Sequence, residues 1–438
     1  MPMRSVPAFK SNVGKRREFF ASEQKSWVWM LVALLIVLIP IEEQVTIFGF
    51  SLTKLSIIPL IAATLKIGAE RFGMVWRQPV FLVSYAFILW AALNETLLHP
   101  HSDLEFVYRS LQMFAFAMLI AVALRTRIDR RRVLQTIAAV SSILAIYLVG
   151  NFYNSVDIGA AGFEAASQIR SAAFQEMALE ENLNKLGWTV AMGSIVAFAG
   201  LLSSRHKWQK VAWGAVYVLC FVGATIPLSR GAALAVVIAS AFMMGKMLLK
   251  GRQLAIVIVA LAVFTAAAWL VPGAMVSRLT SSTDNEKNVE ARKQLYIAAY
   301  ESFPEYWIVG VGAGNYWESW GRQHGFGRVS SGWVEVLRPH NSFLAAWVYY
   351  GLPGVSLLGL ICFLAGRQYK RARGDSTEKL AVLGLLIIAI LWLGATHVLY
   401  NKEFGLILGL LVSQTIRRRV VSVRRRRLVR AEFAVDSV

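Results

Sequence analysis

Cationic side chains stand at the edges of three segments of the sequence. Arg230 opens one apolar run, and Arg292 lies four residues before Tyr296. Arg338 and His340 directly precede another apolar run. Arginine can bind two phosphate oxygens at once, and histidine exchanges a proton near neutral pH. Together these residue types suit the displacement of a phosphorylated leaving group by a hydroxyl, with the arginines on the phosphate and His340 as the base.

Each of these residues also fits a purely structural role. An arginine at the end of an apolar helix can extend its charge to the membrane surface, which would account for Arg230. Arg292 fits a solvated charge. The segment around His340 fits a helix entry, with Asn341 as the helix cap. Only their common position on one side of a membrane favours the chemical interpretation.

The composition predicts that this is an all-α polytopic membrane protein. Of the 438 residues, 56% are hydrophobic and 16% are charged, which is too apolar for a soluble protein of this size. A net charge of +20 alone would fit nucleic acid or anionic lipid. The charges lie in short clusters between apolar runs, however, so a nucleic-acid partner is not expected. Because a bilayer core of ~30 Å needs about 20 apolar residues, we predict twelve spans, near 27–41, 51–68, 79–98, 106–124, 133–150, 186–203, 209–227, 231–249, 253–271, 342–365, 380–398 and 402–416.

Lysine and arginine set the orientation of these spans. With the N-terminus in the cytoplasm, the predicted cytoplasmic segments hold 33 of the 46 basic residues, as the positive-inside rule requires. No small-residue cleavage site follows the first apolar run, which is therefore expected to remain as a span. The arginine-rich C-terminal tail would lie on anionic lipid. The predicted division is a cytoplasmic tail (1–26), spans one to nine (27–271), a large periplasmic loop (272–341), spans ten to twelve (342–416) and a second cytoplasmic tail (417–438).

Several kinds of chemistry are not expected. The sequence has no P-loop, no Asp-x-Asp pair and no zinc-ligand spacing among its histidines. Both cysteines, Cys220 and Cys362, lie inside apolar runs, which argues against a disulfide framework. The glycines of 310–314 follow no strand of a βαβ unit, so they predict a tight turn with close backbone approach rather than a dinucleotide loop. No cofactor and no metal are therefore expected.

The large loop contains a candidate interfacial helix near 289–307. Tyr296, Tyr300, Phe303 and Trp307 recur at spacings of four, three and four residues. Such a stripe is expected to face the membrane boundary or the spans below it.

Four short motifs resemble one known family. The run 338–354 (RPHNSFLAAWVYYGLPG) resembles the His-Asn-x-x-Leu…Gly-x-x-Gly signature of bacterial O-antigen ligases and of the related O-antigen and exopolysaccharide polymerases. The run 310–316 resembles their Gly-x-Gly-x-Gly-Asn-aromatic turn, and 229–231 matches their Ser-Arg-Gly helix start. The run 182–187 is similar to their Asn-Pro-Asn-x-x-Gly element, with Leu183 in place of the proline.

The resemblance implies an inverting, metal-independent membrane glycosyltransferase of the GT-C-like class. Its donor would be a glycan on polyprenyl pyrophosphate, and its site would face the periplasm from the bacterial inner membrane. His340 would activate the acceptor, and the implied pyrophosphate-binding residues are Arg230, Arg292, Arg338 and Arg170. The implied supporting residues are Asn341, Asn184, Gly312 and Gly314.

The acceptor of such an enzyme is left open by the sequence. It would be lipid A–core for a ligase, or a second lipid-linked repeat unit for a polymerase. The single compact loop favours the ligase. A transporter of lipid-linked sugars is the alternative from another class, although transporters tend to place charges at mid-membrane in broken helices.

Overall fold

The protein is a bundle of apolar helices, which a computed structural model describes in ranges separated by gaps. The described residues are 27–41, 46–47, 50–67, 69–99, 104–155, 183–227, 229–248, 293–330, 333–336, 339–372, 375–396 and 400–416. Within these ranges, seven helices are long and apolar enough to cross a membrane. The prediction of a helical, multi-pass membrane protein is therefore confirmed.

The helices are numbered here in chain order. Those before the large loop are α1 (Val28–Leu38), α2 (Leu52–Ile67), α3 (Ala69–Trp76), α4 (Pro79–Leu93), α5 (Glu105–Ala123), α6 (Arg127–Ser155), α7 (Leu183–Ser203), α8 (Lys207–Thr225) and α9 (Arg230–Leu248). The loop contains α10 (293–301), α11 (Phe303–Tyr306) and α12 (Ala313–Asn315, continued by a π-helical turn Tyr316–Trp320 and by Gly321–Gln323). The last helices are α13 (Ser342–Arg371), α14 (Ser376–Ala395) and α15 (402–416).

The seven long apolar helices coincide with seven of the predicted spans, and the other five have different outcomes. The seven are α4 with its π-helical extension Asn94–Leu98, α5, α6, α7, α9, α13 and α14. α1 is shorter, and the pair of α2 and α3 is bent by 110°. Helices also form at the predicted spans of α8 and α15, although neither is among the seven. The predicted span 253–271 and both predicted tails lie outside the described residues.

Small residues let α7 occupy the centre of the bundle. In the apolar stretch of 18 residues within this helix, 89% of the residues are buried. A Cβ placed on Gly193 would lie 2.1 Å from the Cβ of Ser141 in α6, and one on Gly200 would lie 2.5 Å from the ring of Trp213 in α8. From the other side, a Cβ on Gly384 of α14 would lie 2.2 Å from Ile195. Backbones approach this closely where side chains are absent, which is how helices commonly pack in lipid.

Two segments between helices, one before α2 and one in the large loop, depart from the wholly helical expectation. Two short antiparallel hairpins are present, β1–β2 (Thr46–Ile47 with Phe50–Ser51) and β3–β4 (Gly327–Ser330 with Trp333–Val336). Outside a bilayer, strand backbone can satisfy its remaining hydrogen bonds with water, so hairpins are allowed there and excluded from the spans.

The predicted interfacial helix exists but is broken at Ser302, between α10 and α11. Leu295, Ala298 and Ala299 of α10 are buried, whereas the aromatic stripe points outward. The exposed stripe consists of Tyr296, Tyr300, Phe303 and Trp307. Residues 289–292 of the predicted helix lie outside the described part of the chain.

The directions of the helices define two ends of the bundle. At the end where α6 and α14 begin, the buried side chains of Arg130 and Glu378 approach within 3.4 Å, and Arg127 pairs with Asp375. We call this the basic end. At the opposite end, α4 stops and α5, α7, α9, α13 and α15 begin beside the large loop. We call it the loop end, and the candidate site lies there.

Candidate functional site at the loop end

The first turns of α7 and α9 lie against each other at the loop end. A Cβ on Gly187 would lie 3.5 Å from the Cβ of Ser229, and one on Gly231 would lie 3.0 Å from the ring of Trp188. Arg230 is the first residue of α9, and its side chain is half-buried. Glycine at 187 and 231 therefore lets these two helix starts approach closely, with Arg230 beside the junction.

α13 begins next to the end of α14. His340 lies two residues before the first residue of α13, and Asn341 lies between them. The side chain of Asn341 caps α13, because its Oδ1 accepts hydrogen bonds from the backbone N–H groups of Phe343 (2.8 Å) and Leu344 (3.2 Å). The structure thus shows the cap that the sequence predicts for Asn341. The side chain of His340 is exposed.

One hydrogen bond and one close packing contact connect these two junctions. The hydroxyl of Ser342 donates to the carbonyl oxygen of Thr396 at the end of α14 (2.7 Å). The preceding residue, Ala395, would lie 3.6 Å from a Cβ on Gly231. The last residues of α14 therefore contact both the turn that follows Arg230 and the turn that follows His340. The structure brings these two predicted residues to the same helix end.

The electrostatics of this region favour an anion. α7, α9 and α13 all present their N-termini here, and each helix N-terminus carries roughly half a positive charge. In α13, Asn341 already accepts from two of the first N–H groups. Arg230 adds a full positive charge, and Asn184 lies in the first turn of α7. Convergent helix N-termini with an arginine suit phosphate oxygens.

The predicted glycine turn is present, and its N–H groups bind a carboxylate of the protein. Gly312 has a φ of 77°, and a Cβ there would lie 3.0 Å from Oε2 of Glu95. The backbone N–H groups of Ala313 and Gly314 donate to the buried Glu95 carboxylate, the latter at 3.3 Å. Because Glu95 already occupies these donors, the turn is a packing device rather than a phosphate cradle.

The same turn supports a break in α13. Gly351 has a φ of 64° and interrupts the helix, so the carbonyl groups before it lose their usual partners. The N–H groups of Val311 and Gly312 donate instead to the carbonyl oxygens of Val348 and Tyr349, both at 2.9 Å. The outer half of α13, residues 342–350, is therefore closed by the large loop at one end and capped by Asn341 at the other.

Aromatic side chains line the loop end. The ring of Phe106 lies 5.7–6.0 Å from those of Trp317, Tyr349 and Tyr400. Burial raises the pKa of the Tyr316 phenol above its usual value and the pKa of Tyr306 to about 12. These two phenols are therefore neutral at physiological pH.

The remaining predicted residues lie partly outside the described chain. Arg170, Arg292 and Arg338 fall outside it, and only the backbone of Asn184 is described. Among the described residues, no group of three or more His, Cys, Asp or Glu side chains is arranged to hold a metal.

Two buried carboxylates at this end were not predicted from the sequence. Besides Glu95, Glu403 in the first turn of α15 is buried and accepts a hydrogen bond from the hydroxyl of Thr189 (3.4 Å). Both glutamates lie inside runs that were read as spans. An ionisable residue in a span is costly and is usually functional, so this signal was available.

Comparison with known proteins supports the motif analysis. Residues 215–359, a third of the chain, match the family model described as O-antigen ligase. This region contains Arg230, Gly312, Gly314, His340 and Asn341. The match covers three of the four motifs that carry the resemblance predicted from the sequence, and that resemblance is confirmed.

Two further comparisons add little to this match. No curated protein matches the sequence. One solved chain, from "Structural coordination of polymerization and crosslinking by a peptidoglycan synthase complex", aligns with a TM-score of 0.41 at 17% identity. The alignment covers 78% of the present chain and 97% of the solved chain.

Proposed function

We propose that the protein is a membrane glycosyltransferase that moves a glycan from polyprenyl pyrophosphate to an acceptor hydroxyl. The observation that carries this proposal is the shared position of Arg230 and His340 at the end of α14. The O-antigen ligase domain match supports the same assignment.

The proposed reaction is a single displacement. The acceptor oxygen attacks the anomeric carbon, the bond from that carbon to the pyrophosphate oxygen breaks, and His340 takes the proton from the acceptor. The pyrophosphate leaves with the bonding electron pair, and Arg230 and the N-terminus of α9 stabilise its charge. Attack from the face opposite the leaving group inverts the anomeric configuration. Arg292, Arg338 and Arg170 are proposed as further pyrophosphate contacts.

The topology that fits this reaction has twelve spans and both termini in the cytoplasm. The loop end would then face the periplasm from the bacterial inner membrane, with residues 272–341 as its large loop. The glycosyl–pyrophosphate bond carries the driving force, so the reaction needs neither nucleotide nor metal. Of the two acceptors, we propose lipid A–core, because the sequence has one loop far longer than the rest; a polymerase would use a second lipid-linked unit.

The experiment that tests this proposal is the reaction itself. Purified protein is given a polyprenyl-pyrophosphate-linked glycan with either lipid A–core or no acceptor, and release of polyprenyl pyrophosphate is measured. We expect release only when donor and acceptor are both present. Transfer between two donor molecules would identify a polymerase, and no release with any acceptor would contradict the proposal.

Transport of the lipid-linked sugar is the second candidate, and the break in α13 favours it. Transporters commonly carry broken helices near their substrate sites, and Gly351 breaks α13 beside the buried Glu95. Proteoliposomes containing a fluorescent lipid-linked sugar distinguish the two. Translocation across the bilayer without an acceptor would support transport, whereas translocation at the rate of protein-free vesicles would exclude it.

A further inference from the structure

The end of α4 carries four polar side chains that each form a hydrogen bond with the backbone of the large loop or of α13. The indole N–H of Trp90 donates to the carbonyl of Tyr350 (2.7 Å), and the Nδ2 of Asn94 donates to that of Val309 (2.7 Å). One turn further, Nε2 of His99 lies 3.1 Å from the carbonyl oxygen of Gly310. With Glu95, these side chains form what we call the α4 clamp: Trp90, Asn94, Glu95 and His99.

Glu95 is the charged member of the clamp, and only 1% of its surface is exposed. A buried carboxylate is strongly unfavourable unless its oxygens are paired. Here Oε1 accepts from the N–H of Ala313 and Oε2 from that of Gly314. These two N–H groups begin α12, whose N-terminus favours a negative charge. The hydroxyl of Tyr350 also hydrogen bonds to Glu95.

The turn that binds Glu95 also forms backbone hydrogen bonds with α13. The turn that Glu95 holds donates to the carbonyls of Val348 and Tyr349, and the N–H of Leu352 donates to the carbonyl of Trp307 (2.9 Å). The half-helix 342–350 has His340 directly before its first turn. A backbone shift at the break would therefore move the histidine.

We propose that Glu95 is a positioning residue, which fixes the outer half of α13 and thereby the place of His340. The proposal rests on the proposed function for its kinetic consequence, but its structural consequence stands without it. Glutamine at 95 has nearly the same shape, yet it offers one carbonyl oxygen to two N–H donors and turns its own NH2 group toward one of them. Glu95→Gln should therefore loosen the turn while leaving Arg230 in place.

Hydrogen exchange on the full-length protein tests the structural part without any substrate. In Glu95→Gln, the amides of 310–314 and 342–350 should exchange about tenfold faster, the effect of losing one charge-assisted hydrogen bond. Exchange in α5 and α14 should not change. The matched control is Glu105→Gln, because Glu105 is an exposed glutamate at the same end of the bundle. Equal exchange in wild type and Glu95→Gln would overturn the proposal.

A kinetic cycle with His340→Ala tests the positioning part. Alone, Glu95→Gln should slow single-turnover transfer about tenfold while donor binding through Arg230 is kept, because Arg230 lies on α9, outside the segment that Glu95 holds. In the His340→Ala background it should slow transfer no further, since the group that it positions is gone. An equal tenfold effect in both backgrounds would overturn the link to His340.

A milder variant keeps the proposal testable if Glu95→Gln does not insert. Trp90→Phe removes only the indole N–H bond to Tyr350 and should show the same pattern with a smaller effect, about threefold. No change in exchange at 342–350 in this variant would overturn the proposal. If wild-type protein transfers no glycan, the proposed function fails. The hydrogen-exchange experiment then still tests whether Glu95 fixes the outer half of α13.

Discussion

Replacing Gly351 by alanine tests whether the break in α13 is a required part of the fold. At a φ of 64°, an L-residue costs about 1–2 kcal/mol. The added Cβ would also lie 2.2 Å from the carbonyl oxygen of Ile308, which belongs to the backbone and cannot rotate away. The large loop and α13 must therefore move apart at this point.

Separation costs the hydrogen bonds that join the loop to the break. They run from Leu352 N to Trp307 O, from Val311 N to Val348 O and from Gly312 N to Tyr349 O, each at 2.9 Å. Each contributes about 1 kcal/mol. With the backbone cost, losing two or three of them gives a destabilisation of about 3–5 kcal/mol for Gly351→Ala.

The same helix provides the control. A Cβ on Gly359 would have no neighbour within 4 Å, so Gly359→Ala should leave stability unchanged or raise it by up to about 1 kcal/mol. The assay is equilibrium unfolding of both purified variants in mixed detergent micelles, followed by circular dichroism. Equal stability of the two variants would refute the description of Gly351 as a required break.

Three further predictions follow from the charges and the proposed topology. Arg230→Lys should abolish most transfer despite keeping its charge, because lysine cannot bind two phosphate oxygens in one plane; the exposed Arg205 serves as the control site, and full activity of Arg230→Lys would remove that residue from the site. Cysteines at Ser281 and Ser422 should label from opposite sides with an impermeant reagent, and labelling from one side would end the twelve-span topology. Burial raises the pKa of Asp375, but the hydrogen bond and the charge of Arg127 together lower it by more. The pKa in the folded protein therefore lies below the pKa in the unfolded chain. Its contribution to stability is then present above the unfolded pKa and lost as pH falls through the folded pKa, and a stability difference between wild type and Asp375→Asn that does not shrink in acid would contradict this.

Local sequence patterns predicted the parts of the fold that depend on local physics. Apolar length gives the helices because a span must satisfy its own backbone. Asn341 was expected as a cap because its short side chain reaches the N–H groups two and three residues ahead. The glycines of 310–314 were expected as a turn because positive φ is open to glycine. In each case the residues that act together are neighbours in sequence.

The unpredicted parts depend on partners far apart in the chain. Glu95 and Ala313 are separated by 218 residues, and no local pattern joins them. The break at Gly351 was not anticipated, because glycine and proline are common in membrane helices, and only the contact with Ile308 makes this one necessary. The position of Arg230 relative to His340 also depends on a third element, the end of α14, whose packing cannot be read from either motif.

His340 gives the most direct test of the central claim, that this protein transfers a glycan at the loop end. Single-turnover transfer and donor binding are measured on the same preparations of wild type, His340→Ala and His206→Ala, the last altering an exposed histidine that precedes α8 at the opposite end. A positioned base contributes about 10²–10⁴-fold to rate. His340→Ala should therefore bind the donor normally and transfer at least ~100-fold more slowly, while His206→Ala behaves as wild type. Transfer by His340→Ala at the wild-type rate would contradict the assignment of the base, and loss of donor binding would make His340 a phosphate contact instead.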